Sequence, residues 1–202
     1  DGITTTGNSA IKNLNFTGFT GTLNANGRFI YGNLILSSGM TLTAAGASTT
    51  TFAATSGTNT ITSAGQTIDF PVTFNGAGGT FACSDALTLG STRALTIANG
   101  TLQLKDGTTS TVGSFVTSGT TPKFLQSTTS GTQATISDAS GTVSVSYLTI
   151  QDSNATGGAA WDANASTNVD AGNNTGWFFA PTPSVSNEVT MRLRSFTQPR
   201  RF

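Results

Sequence analysis

Carboxylates are the side chains of this sequence best suited to chemistry. Asp138 and Asp152 lie 14 residues apart, and each comes two residues after an apolar strand position, Ile136 and Ile150. If those strands belong to successive turns of one fold, the two carboxyls project from neighbouring turns. A glycoside-cleaving centre needs two facing carboxyls roughly 5–9.5 Å apart. The pair is therefore the candidate for a glycoside-cleaving centre, with Asp69, Asp85 and Asp106 as further carboxylates of the same kind. The competing reading is that Asp follows a strand because its side chain accepts turn amides. A depolymerase also wants an aromatic-lined groove, for which the chain offers few outward aromatics. The expectation is no enzyme.

Other chemistries are thinner still. The chain has no histidine, which removes Ser-His-Asp and Cys-His nucleophiles and a histidine base. Cys83 alternates with Phe81 and reads as a buried small hydrophobe. The glycines of Asn75-Gly76-Ala77-Gly78-Gly79-Thr80 precede no helix, so they read as a turn and not as a phosphate cradle. Asp162, Asn164, Asp170 and Asn173 supply hard oxygens at short spacing, the pattern Ca2+ prefers. They lack the distal Glu of an EF-hand loop, and turn hydrogen bonding accounts for them, so no cofactor is expected.

Composition points away from a compact globule. Thr alone accounts for 40 of 202 residues, and only 9% of residues are charged, against roughly 25% in ordinary domains. Thirteen Phe and many Thr, Val and Ile still argue for a folded chain. Residues 1–180 carry eight Asp against Lys12, Arg28, Arg93, Lys105 and Lys123, whereas 181–202 carry Glu188 against four Arg. This mildly acidic body offers no electrostatic footprint for nucleic acid. No apolar run approaches the length of a membrane span. The start at Asp1 is read as a processed chain or a portion of a longer product.

The elements that must position these groups are very short strands. Over 86–105, Leu87/Leu89, Leu95/Ile97 and Leu102/Leu104 flank single polar residues, with Gly90 and Asn99-Gly100 read as turns. Similar alternations recur along the chain, among them Phe29/Tyr31, Leu34/Leu36, Ile68 to Phe74, and Leu148/Ile150, with Phe115 and Phe124 among the apolar positions between them. No stretch sustains a helical apolar period. Strands of three to five residues, Thr-rich polar positions and monotonous units predict an all-β solenoid of stacked coils. With three strand-turn units per coil, each coil takes roughly 22–25 residues. Residues 11–152 then make about six coils, roughly 30 Å long at strand spacing. The alternative is an antiparallel β-sandwich or jelly roll, which favours longer strands.

Residues 1–10 read as an entry segment, 11–152 as coils and 153–180 as a cap built on Trp161, Trp177, Phe178 and Phe179. Leu148-Thr149-Ile150-Gln151-Asp152-Ser153, Gly157-Gly158, Trp161, Asn168-Val169-Asp170 and Gly172 to Trp177 resemble the closing module of right-handed parallel β-helix proteins. Such proteins occur on bacterial surfaces and in virions of tailed bacteriophages. The resemblance covers about 132–180. It implies a virion-surface or extracellular solenoid attached to other modules, and it brings no catalytic residue.

Residues 181–202 read as a Pro/Ser linker and a basic tail. Val189, Met191 and Leu193 alternate with Arg192 and Arg194, and the chain ends Arg200-Arg201-Phe202. One reading is a solubilising tail. The sharper one is an anchor strand added to a neighbouring sheet edge, its arginines meeting carboxylates. The expected role is a non-enzymatic structural module on a virion or cell surface, held in a homo-oligomer or among neighbouring subunits. A glycan- or receptor-binding adhesin is the alternative, and a polysaccharide depolymerase the second alternative.

Overall fold

The structure, a computed structural model, describes residues 2–4, 10–25, 27–44 and 48–181. Among the described residues there are 23 strands and no helix. Every strand pair is parallel. The chain is a parallel β-solenoid of about seven turns. Parallel pairing throughout leaves no place for the hairpins of a sandwich or jelly roll.

The turns continue past the six expected over 11–152, and they are less regular. Leu102 pairs with Leu125 and Leu125 with Ile150, steps of 23 and 25 residues, but Trp161 pairs with Trp177, a step of 16. Residues 153–180, set apart as a cap in the sequence reading, are laid down as rungs. Ser153–Gly157 pairs with Ala134–Asp138, Ala160–Ala163 with Thr142–Ser144, and Trp177–Phe179 with Ala160–Ala163. No helix among the described residues is long and apolar enough to cross a membrane.

Inward side chains stack in columns along the ladder. Ile30, Phe52, Phe74 and Ile97 form one, and Phe81, Leu102, Leu125 and Ile150 another. All eight are buried. The Phe52 and Phe74 rings stack at 5.1 Å, and Phe81 lies 5.3 Å from Phe74. Fully burying one such ring stabilises by about 1.5–3 kcal/mol. At the C-terminal end Trp161 and Trp177 meet edge-to-face at 4.9 Å, each 6.1 Å from Phe115.

Two sequence expectations are overturned by strand parity. Phe29 and Tyr31 are not the inward pair: Arg28 and Ile30 are buried, and Tyr31 is exposed. Phe124 likewise faces outward while Lys123 and Leu125 are buried. A one-residue slip exchanges the two faces of a strand, and the neighbouring rungs decide it: Ile30 pairs with Phe52, and Leu125 pairs between Leu102 and Ile150.

The glycine turns read at Asn75–Thr80 and Asn99-Gly100 lie inside strands. Val72–Cys83 and Ala94–Leu104 run through them, with register shifts between Phe74 and Thr80. They are bulges that bend the sheet round a corner. A Cβ on Gly76 or Gly79 would overlap the Ala54 carbonyl oxygen, and Gly100 takes φ +84° with its Cβ position against the Gly76 oxygen. Only glycine lets the rungs stack this closely there.

Candidate functional site

One corner of each coil gathers the polar side chains that could do chemistry. It follows the strands Thr58–Thr62, Val72–Cys83, Ala94–Leu104, Lys123–Ser127 and Leu148–Ile150. Asp85, Asp106, Thr128, Asp152 and Asn173 occupy it in successive turns. Asp85 Oδ1 accepts the Ser63 N–H at 2.8 Å, and its Oδ2 accepts the Ala64 N–H at 2.6 Å. The Asp106 N–H donates to Thr128 Oγ1 at 3.1 Å, and the Thr128 hydroxyl donates to Asp106 Oδ1 at 2.7 Å. Asp152 Oδ2 accepts the Gly131 N–H at 3.0 Å, and Oδ1 accepts the Asn173 side-chain amide at 2.7 Å. These bonds join residues 21 or 22 apart, which is one turn of the solenoid.

The corner also demands unusual backbone. Ala64, Asp152 and Asn173 have φ of 52°, 54° and 55°. Asp and Asn tolerate this left-handed conformation because their side chains bond locally. The same residue types therefore answer two needs, the turn and the staple.

Two carboxylates are held in ion pairs, Asp106 at this corner and Asp69 outside it. Hydrogen bonds from Lys105 Nζ, at 2.5 Å, and then from Thr128 lower the Asp106 pKa to about 2. The Arg93 guanidinium, 2.8 Å from Asp69 Oδ1, holds that carboxyl below its ordinary value. Burial pushes the Cys83 thiol up to about 12, with Asp85 adding to the shift, so it carries little thiolate at neutral pH.

Asp138 and Asp152 are both buried, but the register sets them apart. Ala134 pairs with Ser153 and Asp138 with Gly157, so Asp152 sits before one end of this strand pair and Asp138 at the other. Five residues of strand separate their levels, roughly 16 Å along the strand. That exceeds the spacing two glycosidase carboxyls share. Asp138 Oδ1 faces the Ser140 N–H at 3.4 Å.

The Ca2+ candidates are likewise engaged in turns. Asp162 Oδ1 accepts the Asn164 N–H at 2.8 Å. Asp170 Oδ1 accepts the Gly172 N–H at 3.0 Å and the Asn174 amide at 2.7 Å. Asn173 turns its amide to Asp152. Among the described residues, no three of His, Cys, Asp and Glu come together as metal ligands. Of the aromatics assigned to the cap, Trp161 and Trp177 are buried, Phe179 is partly buried against the core and Phe178 is exposed. Val189, Met191, Arg192, Leu193, Arg194, Arg200, Arg201 and Phe202 lie outside the described residues.

Two buried cations escaped the sequence reading. Composition shows Arg28 and Lys123 only as charge, yet both are buried, and desolvation lowers both pKa values. Lys123 Nζ lies 3.4 Å from the Gly119 carbonyl and 5.6 Å from the Tyr147 ring centroid. Its alternation with Leu125 was the available signal.

A scan against protein-family models finds no match to this chain, and searches of curated proteins and of solved structures find none.

Proposed function

We propose that this protein is a non-enzymatic structural module, displayed on a virion or cell surface and anchored to an assembly through residues 181–202. The observation that carries the reading is the corner ladder. Asp85, Asp106 and Asp152, three of the carboxylates best suited to chemistry, bond from one turn to the next and so stiffen the shaft. Outward positions between the corners are mostly hydroxyls and amides, as in the register row Thr58, Thr80, Thr101 and the pair Gln103 and Gln126. Such a body is a rigid spacer.

Microscopy of the native assembly tests this. Subunits standing on a capsid, tail or cell surface support the reading, and a free monomer overturns it. Deleting 184–202 should dissolve the assembly and leave the solenoid folded, whereas an unchanged oligomer overturns the anchor.

A second reading is a glycan- or receptor-binding adhesin. Exposed Phe124 stands in register between Thr101 and Thr149, an aromatic face beside hydroxyls of the kind sugars stack on. A glycan panel separates the two, because a passive spacer binds none. A depolymerase would need activity on capsular polysaccharide that is lost in Asp138→Ala and Asp152→Ala.

A further inference from the structure

Five asparagines stand in Asn-x-Ser/Thr patterns: Asn15, Asn99, Asn154, Asn164 and Asn173. That pattern is the acceptor signature for an N-linked oligosaccharide. In a chain this rich in Asn, Ser and Thr the pattern alone selects nothing, so the choice falls to geometry.

Three of the five commit their amides to neighbouring turns. Asn99 is half-buried and donates to Asn75 Oδ1 at 2.6 Å. Asn154, also half-buried, donates to Thr135 Oγ1 at 3.3 Å, and the hydroxyl of its Thr156 donates to the Ile136 carbonyl at 3.3 Å. Asn173 donates to the buried Asp152 carboxylate at 2.7 Å. A sugar on Nδ2 would displace an inter-turn bond at each of these. Asn164 is exposed, but its turn is held through its backbone N–H, which donates to Asp162 Oδ1 at 2.8 Å, and among the described residues no bond joins its side chain to Ser166.

Asn15 is different. It ends the short strand Leu14–Asn15, and the next residues form a turn closed by the Phe19 N–H on the Phe16 carbonyl at 2.9 Å. Asn15, Thr17 and Gly18 are exposed, while Phe16 packs against the core. Asn15 Oδ1 accepts the Thr17 N–H at 2.8 Å and the Thr17 hydroxyl at 2.6 Å. A backbone N–H only donates, so the atom facing it is the oxygen, and Nδ2 with its two hydrogens points the other way. The hydroxyl that completes the pattern is thus already paired with the asparagine it marks.

We propose that Asn15 is a modification site that takes an N-linked oligosaccharide. The donor is an oligosaccharide carried on a polyprenyl diphosphate, and a transferase joins the two. Asn15 Nδ2 forms a bond to the anomeric carbon, and the bond from that carbon to the diphosphate oxygen breaks. The diphosphate leaves with the electron pair, and Nδ2 releases one proton to a base of the transferase. The inference rests on this turn and not on where the module is displayed.

The test offers the folded full chain to a purified oligosaccharyltransferase that reads Asn-x-Ser/Thr alone, with its polyprenyl-diphosphate donor. The product is mapped by peptide mass, and free peptides spanning each of the five patterns run beside it. The folded chain should gain one oligosaccharide, at Asn15. Occupancy at Asn99, Asn154 and Asn173 should be roughly tenfold lower than in their free peptides, because each amide must first leave a hydrogen bond. Asn164 should trail Asn15, because its carbonyl and hydroxyl must first be brought together. Asn15→Gln should remove the added mass. A folded chain left bare at Asn15 would overturn the inference, as would equal occupancy at any of the other four or added mass that persists in Asn15→Gln.

Discussion

Asn173 donates its side-chain amide to Asp152 Oδ1 at 2.7 Å, across one full turn of the solenoid. Asp152 passes the link on, because its other oxygen accepts the Gly131 N–H at 3.0 Å in the turn before. The two oxygens of one buried carboxylate thus join three successive turns.

Removing that carboxylate should be costly. Asp152→Ala removes its bonds to the Gly131 N–H and the Asn173 amide, and a hydrogen bond to a charged group contributes about 1.5–3 kcal/mol, the lower end applying to donors on exposed residues such as these. It also places Ala at φ 54°, where a residue lacking a local side-chain bond pays about 1 kcal/mol. A loss of about 3–5 kcal/mol is expected in denaturant unfolding. Asp152→Asn keeps an acceptor and tolerates the backbone, so about 1 kcal/mol is expected. Equal losses for the two variants would contradict the staple.

The C-terminal rungs should report their own unfolding. Trp161 and Trp177 are the chain's two tryptophans, both buried and 4.9 Å apart. Tryptophan fluorescence therefore reads only this end. Trp177→Ala should cost about 3–5 kcal/mol, and Trp177→Phe distinctly less. In a stack held by nearest-neighbour contacts the loss should appear first in the last turns. Hydrogen exchange should quicken there before it does near Phe74. Uniform quickening would contradict a turn-by-turn ladder.

How far the sequence reveals all this depends on the element. Leu87, Leu95, Leu102 and Ile150 alternate cleanly with polar neighbours, and their inward placement was legible. Tyr31, Phe124 and Lys123 were not, because aromatic type argues for the inside while parity is set by the rung above. Asp138 and Asp152 illustrate the same limit. Their shared position after an apolar residue is visible in the sequence, but which ends of the strands they occupy depends on turn lengths that vary from coil to coil. The corner had a readable trace in the 21-residue steps from Asp85 to Asp106 and from Asp152 to Asn173.

Acid should loosen the corner at Asp106. Its pKa is lowered to about 2 by Lys105 and Thr128, while an unfolded aspartate titrates near 3.9. Because the folded value is the lower one, the carboxylate's contribution is complete above about pH 4 and is lost as pH falls toward about 2. Asp106→Asn should flatten that part of the stability–pH profile, measured by unfolding at fixed temperature. A variant with the same slope as the parent between pH 4 and pH 2 would place the acid sensitivity elsewhere.

Lys123 separates the cost of a charge from the value of a side chain. It is fully buried, and desolvation lowers its pKa. A folded pKa below the unfolded one means that the unfolded state binds more protons, so this residue's contribution improves as pH rises through the folded value toward about 10.4. Lys123→Met keeps the volume and drops the charge, giving up the contacts to the Gly119 carbonyl and the Tyr147 ring. Its stability at neutral pH should equal or exceed the parent's, because an apolar replacement of similar volume needs no desolvated charge. Lys123→Ala opens a cavity between Leu148 and the preceding rung and should cost about 2–4 kcal/mol. If Met proved as damaging as Ala, the ammonium's contacts would outweigh its desolvation, and the lysine would be a stabilising element of the core.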